Sequence, residues 1–248
     1  MNSINMAFLL TVIAGLSTML GTIPILIRLK NECKIIAGSL AFAAGVMICV
    51  SVTDLVPEAI YMLELSFNGI ITCLLVVAFI MIGMVISSLI DKKVVVNNKN
   101  GTLYKVGIIS MLAIILHNIP EGIATFISTT KDTSLGISLA IAIAMHNIPE
   151  GVSISVPIYY ATNSKSKACI YTFISGLSEP LGALLTYLFL LPLINDIVLS
   201  LLFAFIAGIM LNISFTELLP TSVSYNEDKI TKLFFIIGIV FMLLKYFI

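Results

Sequence analysis

The chain has 248 residues, of which 59% are hydrophobic and only 10% charged. A soluble domain carries about 25% charged residues, so this composition excludes an ordinary water-soluble fold. The formal net charge is zero, which leaves no cationic excess for binding nucleic acid.

A membrane-spanning helix needs ~20 predominantly apolar residues. Eight such runs can be drawn, at about 5–27, 36–60, 67–90, 107–130, 135–160, 168–191, 197–220 and 233–248. They predict an all-α, polytopic membrane protein with one transmembrane domain over residues 1–248. The first run has no basic flank before it, and Arg28 comes only after it, so it reads as a retained helix rather than a cleaved signal. Cys33, Cys49, Cys73 and Cys169 show no C-x-x-C spacing and read as small apolar filler.

The second and seventh runs contain an internal repeat. Ala41–Pro57, AFAAGVMICVSVTDLVP, aligns with Ala204–Pro220, AFIAGIMLNISFTELLP, at a constant offset of 163 residues. Gly45 matches Gly208, Met47 matches Met210, Ser51 matches Ser214, and Asp54 is replaced conservatively by Glu217. The two runs point in opposite directions, so the repeat is inverted, a build shared by many secondary transporters. The methionines read as packing residues, whereas Ser51 and Ser214 are candidates to hydrate a passing ion. Small residues such as Gly45 and Gly208 permit close helix packing, within the chain or in a homodimer.

Eleven of the thirteen basic residues fall in odd-numbered loops: Arg28, Lys30 and Lys34; Lys92, Lys93, Lys99 and Lys105; Lys165 and Lys167; Lys229 and Lys232. The positive-inside rule assigns those loops to the cytoplasm and places both termini outside. The longest predicted loop, 91–106, is polar and has no histidine. Six acids, Asp54, Glu58, Glu121, Glu150, Glu179 and Glu217, lie within predicted spans, with no basic side chain there to pair with them. Glu58 reads as an interfacial carboxylate. An ionised group at the bilayer centre costs roughly 2.5–3.5 kcal/mol on an insertion scale. The compensation must come from protons, water or a bound cation.

Runs four and five say where that cation sits. His117-Asn118-Ile119-Pro120-Glu121-Gly122 recurs as His146-Asn147-Ile148-Pro149-Glu150-Gly151, and these are the only two histidines. Histidine and glutamate four apart share one helix face. The intervening proline frees a backbone carbonyl one turn back. The two runs are predicted antiparallel neighbours joined by a tight loop at Lys131–Ser134. Run six adds Glu179, again just before a proline, Pro180. Mixed nitrogen and oxygen ligands suit Zn²⁺, Fe²⁺, Mn²⁺, Co²⁺ and Ni²⁺, and the amide oxygens of Asn118 and Asn147 favour exchange over permanent binding. Crowded carboxylates hold protons that an arriving metal displaces.

Two other functions compete. An intramembrane metalloprotease would need H-E-x-x-H, and a di-iron oxidase Glu-x-x-His; neither order is present. A proton-coupled carrier of an organic solute would use the carboxylates as relays, but the spans offer no lysine, arginine or tryptophan to line a pocket.

The two phrases, the Glu179-Pro180 helix, the eight runs and the outward termini together resemble the ZIP family of divalent metal transporters, and within it the bacterial zinc-uptake permease branch. The resemblance covers essentially the whole chain. It implies eight helices arranged as three, two and three, in a multi-pass cell-membrane protein importing metal into the cytoplasm. It implies a two-metal site, with His117, Glu121, His146 and Glu150 around one position. Asn118, Glu121, Asn147, Glu150 and Glu179 would surround the other. Zn²⁺ or Fe²⁺ is then cargo and no catalytic cofactor is expected. The chain departs from some members in lacking a long His-rich loop between the third and fourth helices. It also has Asn147 where some place aspartate, which lowers the negative charge at the second position.

Overall fold

Where lipid replaces water, a segment must satisfy its own backbone, and an apolar run does so as a helix. The computed structural model describes residues 3–27, 31–93, 99–190 and 195–244, and these residues contain no strand. Their helices are α1 (Ser3–Leu26), α2 (Glu32–Glu64), α3 (Gly69–Lys93), α4 (Lys99–Lys131), α5 (Thr133–Thr162), α6 (Lys165–Phe189), α7 (Asp196–Val223) and α8 (Asp228–Leu243). Among the described residues seven helices, α1 to α7, are long and apolar enough to cross a membrane. Helix α8 is 16 residues long. Arg28, Lys30 and Lys245 lie outside the described residues.

Burial runs opposite to that of a soluble protein. Large apolar side chains are exposed around the periphery, with Ile70, Leu74, Val77, Met81, Val85 and Leu89 lining one side of α3. Histidines, asparagines and glutamates are inside. Such a surface is stable only against hydrocarbon. All four cysteines are free, with Cys33 and Cys73 on the exposed surface, Cys49 buried and Cys169 between the two.

The helices pack as two groups. One comprises α1, α4, α5 and α6, the other α2, α3, α7 and α8. Glycines set the close approaches. A side chain at Gly45 would strike the Phe235 carbonyl of α8, and one at Gly208 the Ile80 carbonyl of α3. Both small-residue faces are therefore filled from within the chain. In the other group Gly122 of α4 lies against the Glu179 carbonyl of α6, and Gly151 of α5 against the Thr18 carbonyl of α1.

The repeat in α2 and α7 carries one local feature in both copies. Each helix widens into a π turn, Ser51–Leu55 in α2 and Ser214–Leu218 in α7, just before its proline. Ser51 Oγ donates to the Met47 carbonyl and Ser214 Oγ to the Met210 carbonyl, both at 2.8 Å. Those hydroxyls satisfy the widened turn and are fully buried. Met47 and Met210 pack in the core as expected.

Helices α4 and α5 meet at a single residue, Asp132, whose carboxylate accepts the Ser134 and Leu135 N–H groups at 2.8 and 3.4 Å. Loss of such a cap costs about 1 kcal/mol. Asp132→Ala is thus expected to lower the thermal unfolding temperature slightly and leave ion flux intact, measured on detergent-solubilised protein and in vesicles. Helix α4 begins at Lys99 and α3 runs to Lys93, so the long polar loop expected over 91–106 is largely helix.

Candidate metal centre

Helices α4 and α5 run side by side over their length, and their repeated phrases meet midway. Pro120 and Pro149 sit inside continuous helices, so each leaves a carbonyl without its intrahelical donor near the ligands. His146 Nε2 lies 2.7 Å from Glu121 Oε1, and His117 Nε2 lies 3.0 Å from the same oxygen. Glu150 Oε1 approaches His117 Nε2 at 3.4 Å. Ligand atoms of His117, Glu121 and His146 all fall within 4.8 Å of one another. Four of the predicted residues thus converge.

The other three stand beside them. Asn147 Nδ2 donates to Glu179 Oε2 and to the Ala14 carbonyl of α1, each at 2.9 Å. Asn118 Nδ2 reaches the Ser175 carbonyl of α6 at 3.4 Å. Glu179 interacts electrostatically with both Glu121 and Glu150. All seven side chains are buried, and Glu179, Asn118 and Asn147 are fully so.

The cluster is under-bonded. Six buried atoms, one from each of six residues, have neither a hydrogen-bond nor an ion-pair partner: His117 Nδ1, Glu150 Oε2, and one oxygen each of Asn118, Glu121, Asn147 and Glu179. An unsatisfied buried polar atom costs about 1–3 kcal/mol, and more where charged. Three carboxylates share the space with two imidazoles. An ion that accepts lone pairs from many directions satisfies this arrangement better than any protein donor.

A cavity of about 590 Å³ leads to the cluster from the end of the protein that carries Lys131 and Asp196. Glu121 and His146 form part of its wall, and Asp54 and Glu58 of α2 line it further out. Glu58 is exposed there. Leu40, Met47, Ile109, Ala113, Ile154 and Ile213 are buried toward the opposite end in an apolar cluster that extends to Leu55 and Phe203 in the cavity wall.

The family profile described as "ZIP Zinc transporter" matches residues 94–245. A protein of Clostridium perfringens named "Zinc transporter ZupT" is 42% identical, over 98% of this chain and 95% of its own length. The chain belongs to the ZIP family. Proteins of the same printed name from Oceanobacillus iheyensis and Streptococcus mutans are 41% and 40% identical, over 98% and 95% of the chain and 97% and 94% of their own lengths. This ZIP chain is a multi-pass protein of the cell membrane, as its apolar helices and its relatives agree.

Two features of this ZIP protein were not legible in its sequence. One is an ion pair inside the spans: Lys105 Nζ lies 2.6 Å from Asp91 Oδ1 and 3.3 Å from Glu217 Oε1. The expectation that no basic side chain pairs with the intramembrane acids therefore fails for Glu217. Because α4 starts well before residue 107, Lys105 is part of the helix and reaches α3 and α7. The other is the part played by α1, which contributes the Ala14 carbonyl to Asn147. Asn147→Leu removes both donors and leaves Glu179 and Ala14 unpaired. It is expected to destabilise the fold by about 2–3 kcal/mol and to weaken metal binding, checked by thermal unfolding and calorimetric titration.

Proposed function

We propose that the chain carries Zn²⁺, and with it Fe²⁺, Mn²⁺, Co²⁺ and similar ions, into the cytoplasm. Its eight helices span the membrane in a three, two and three arrangement with inverted repeats and both termini outside. His117, Glu121, His146 and Glu150 hold one ion, and Asn118, Glu121, Asn147, Glu150 and Glu179 a second, with the shared glutamates bridging. The single observation that carries this reading is the set of six unpartnered buried nitrogen and oxygen atoms gathered at the foot of an open cavity. A structural site would be closed on all sides. One that opens to an aqueous cavity is built for exchange.

The basic residues supply the direction. Lys92, Lys105, Lys165 and Lys167 lie at the end opposite the cavity, which the positive-inside rule assigns to the cytoplasm. The cavity then opens outward. Lipid surrounds the periphery, and any homodimer uses a face other than Gly45 and Gly208. The relatives' names favour transport over an enzymatic role. Metal is cargo, and the mechanism needs no catalytic cofactor.

Uptake of Zn²⁺ and of Fe²⁺ by proteoliposomes containing the purified protein tests the reading, with anomalous scattering from soaked crystals to count and identify bound ions. Saturable Zn²⁺ uptake with one or two ions at these side chains is expected. No uptake, or ions bound elsewhere, overturns it.

A further inference from the structure

All seven candidate ligands belong to the group α1, α4, α5 and α6, and none to the group α2, α3, α7 and α8. The boundary between the groups is open at one end, where the cavity separates Asp54, Glu58 and Phe203 from Glu121, His146 and Lys131. At the other end apolar side chains of both groups are buried together, and a smaller cavity of about 220 Å³ lies between Thr102 and Leu103 of α4 and Thr221 of α7. Just there, Lys105 of α4 reaches across to Asp91 in the last turn of α3 and to Glu217 in the π turn of α7. One lysine thus ties the ligand-bearing group to two helices of its neighbour.

The repeat relates Glu217 to Asp54, which lines the open cavity in its own π turn. The same turn therefore faces a cavity at one end of the protein and an ion pair at the other. The lysine and aspartate side chains are 21% and 24% exposed, so water can replace either partner. Such a pair biases a population of conformations and can still be broken in each cycle.

We propose that Lys105 is a latch across the inner end of the boundary. Its pairing with Asp91 and Glu217 holds that end shut while the outer cavity is open, and opening toward the cytoplasm requires both contacts to part. The proposal rests on the transport reading above and on the orientation it assigns.

The test uses full-length protein with Cys33, Cys49, Cys73 and Cys169 replaced by alanine and Ala113→Cys as reporter. Ala113 lies in the apolar cluster between Lys105 and His117. The readout is the rate of labelling by a membrane-impermeant maleimide in inside-out vesicles without metal. Lys105→Met is expected to raise that rate about tenfold, equivalent to ~1.4 kcal/mol, while Lys105→Arg stays near the parent. Asp91→Asn with Glu217→Gln, which leaves the lysine in place, is expected to give the same rise. Each variant is first shown to bind Zn²⁺ with the parent's stoichiometry, which establishes that it is folded. An unchanged rate in Lys105→Met overturns the latch. So does a rise in Lys105→Met that the carboxylate pair does not reproduce, since that would reflect packing of the lysine stem. Labelling is read without metal, so expected labelling in a protein that carries no ion would defeat the transport reading alone. Unchanged labelling with intact uptake would defeat the latch alone.

Discussion

Replacing both Glu121 and Glu150 by alanine is expected to reduce Zn²⁺ flux in proteoliposomes more than about 100-fold. Loss of one outer-shell partner of a metal ligand already costs about 10–100-fold in affinity. The double change removes two direct candidates, each assigned to both ion positions. It also removes carboxylates buried beside unpartnered atoms of their own. The alanines leave His117, His146 and Glu179 buried without those partners, which costs stability, so Glu121→Gln with Glu150→Gln is the companion variant expected to keep the fold and still lose the flux. That combination, intact folding and lost flux, separates a binding site from a structural polar cluster. Undiminished flux would remove the basis of the transport assignment.

The second large effect is expected at a residue with no chemistry of its own. Gly122→Val puts a branched side chain where the Glu179 carbonyl of α6 already sits. Backbone cannot yield as a flexible side chain does, so α4 and α6 must move apart. Overpacking a tight core costs about 1–3 kcal/mol and occasionally more, and here at least ~3 kcal/mol is expected, at the upper end of that range. The measurement is the midpoint of thermal unfolding together with the monodisperse fraction on size exclusion. Gly69→Val serves as the control, because nothing lies within 4 Å of a Cβ placed there. A Gly122→Val protein as stable as the control would show that this helix contact has slack.

The convergence of the two His/Glu pairs was legible because its information is local. Histidine and glutamate four apart on a helix share a face whatever surrounds them, and two identical copies leave little choice of how the faces meet. Glu179 was legible for a similar reason, since a carboxylate beside a proline in an apolar run has few inert explanations. The ion pair between Lys105 and Glu217 was not. Its partners are far apart in the chain, and the lysine had been assigned to a loop. The span rule supplies the minimum length for crossing a bilayer, whereas α4 has 33 residues. At 1.5 Å per residue that is about 50 Å, against a hydrocarbon core of about 30 Å. Helix ends that stand clear of the core carry charged side chains, and no hydropathy window finds where they stop. The part played by α1 was invisible because it is made by the Ala14 backbone carbonyl, which no side chain announces.

Helix α1 is joined to α5 at three heights. Ser17 Oγ donates to the Ala144 carbonyl at 3.1 Å, Asn147 Nδ2 to the Ala14 carbonyl at 2.9 Å and Ser155 Oγ to the Gly21 carbonyl at 2.6 Å. Rivets spaced along two rods suppress both sliding and rotation. The amino-terminal rod must therefore travel wherever the α5 histidine travels, and a spectroscopic probe fixed to it becomes a distant pointer to that movement.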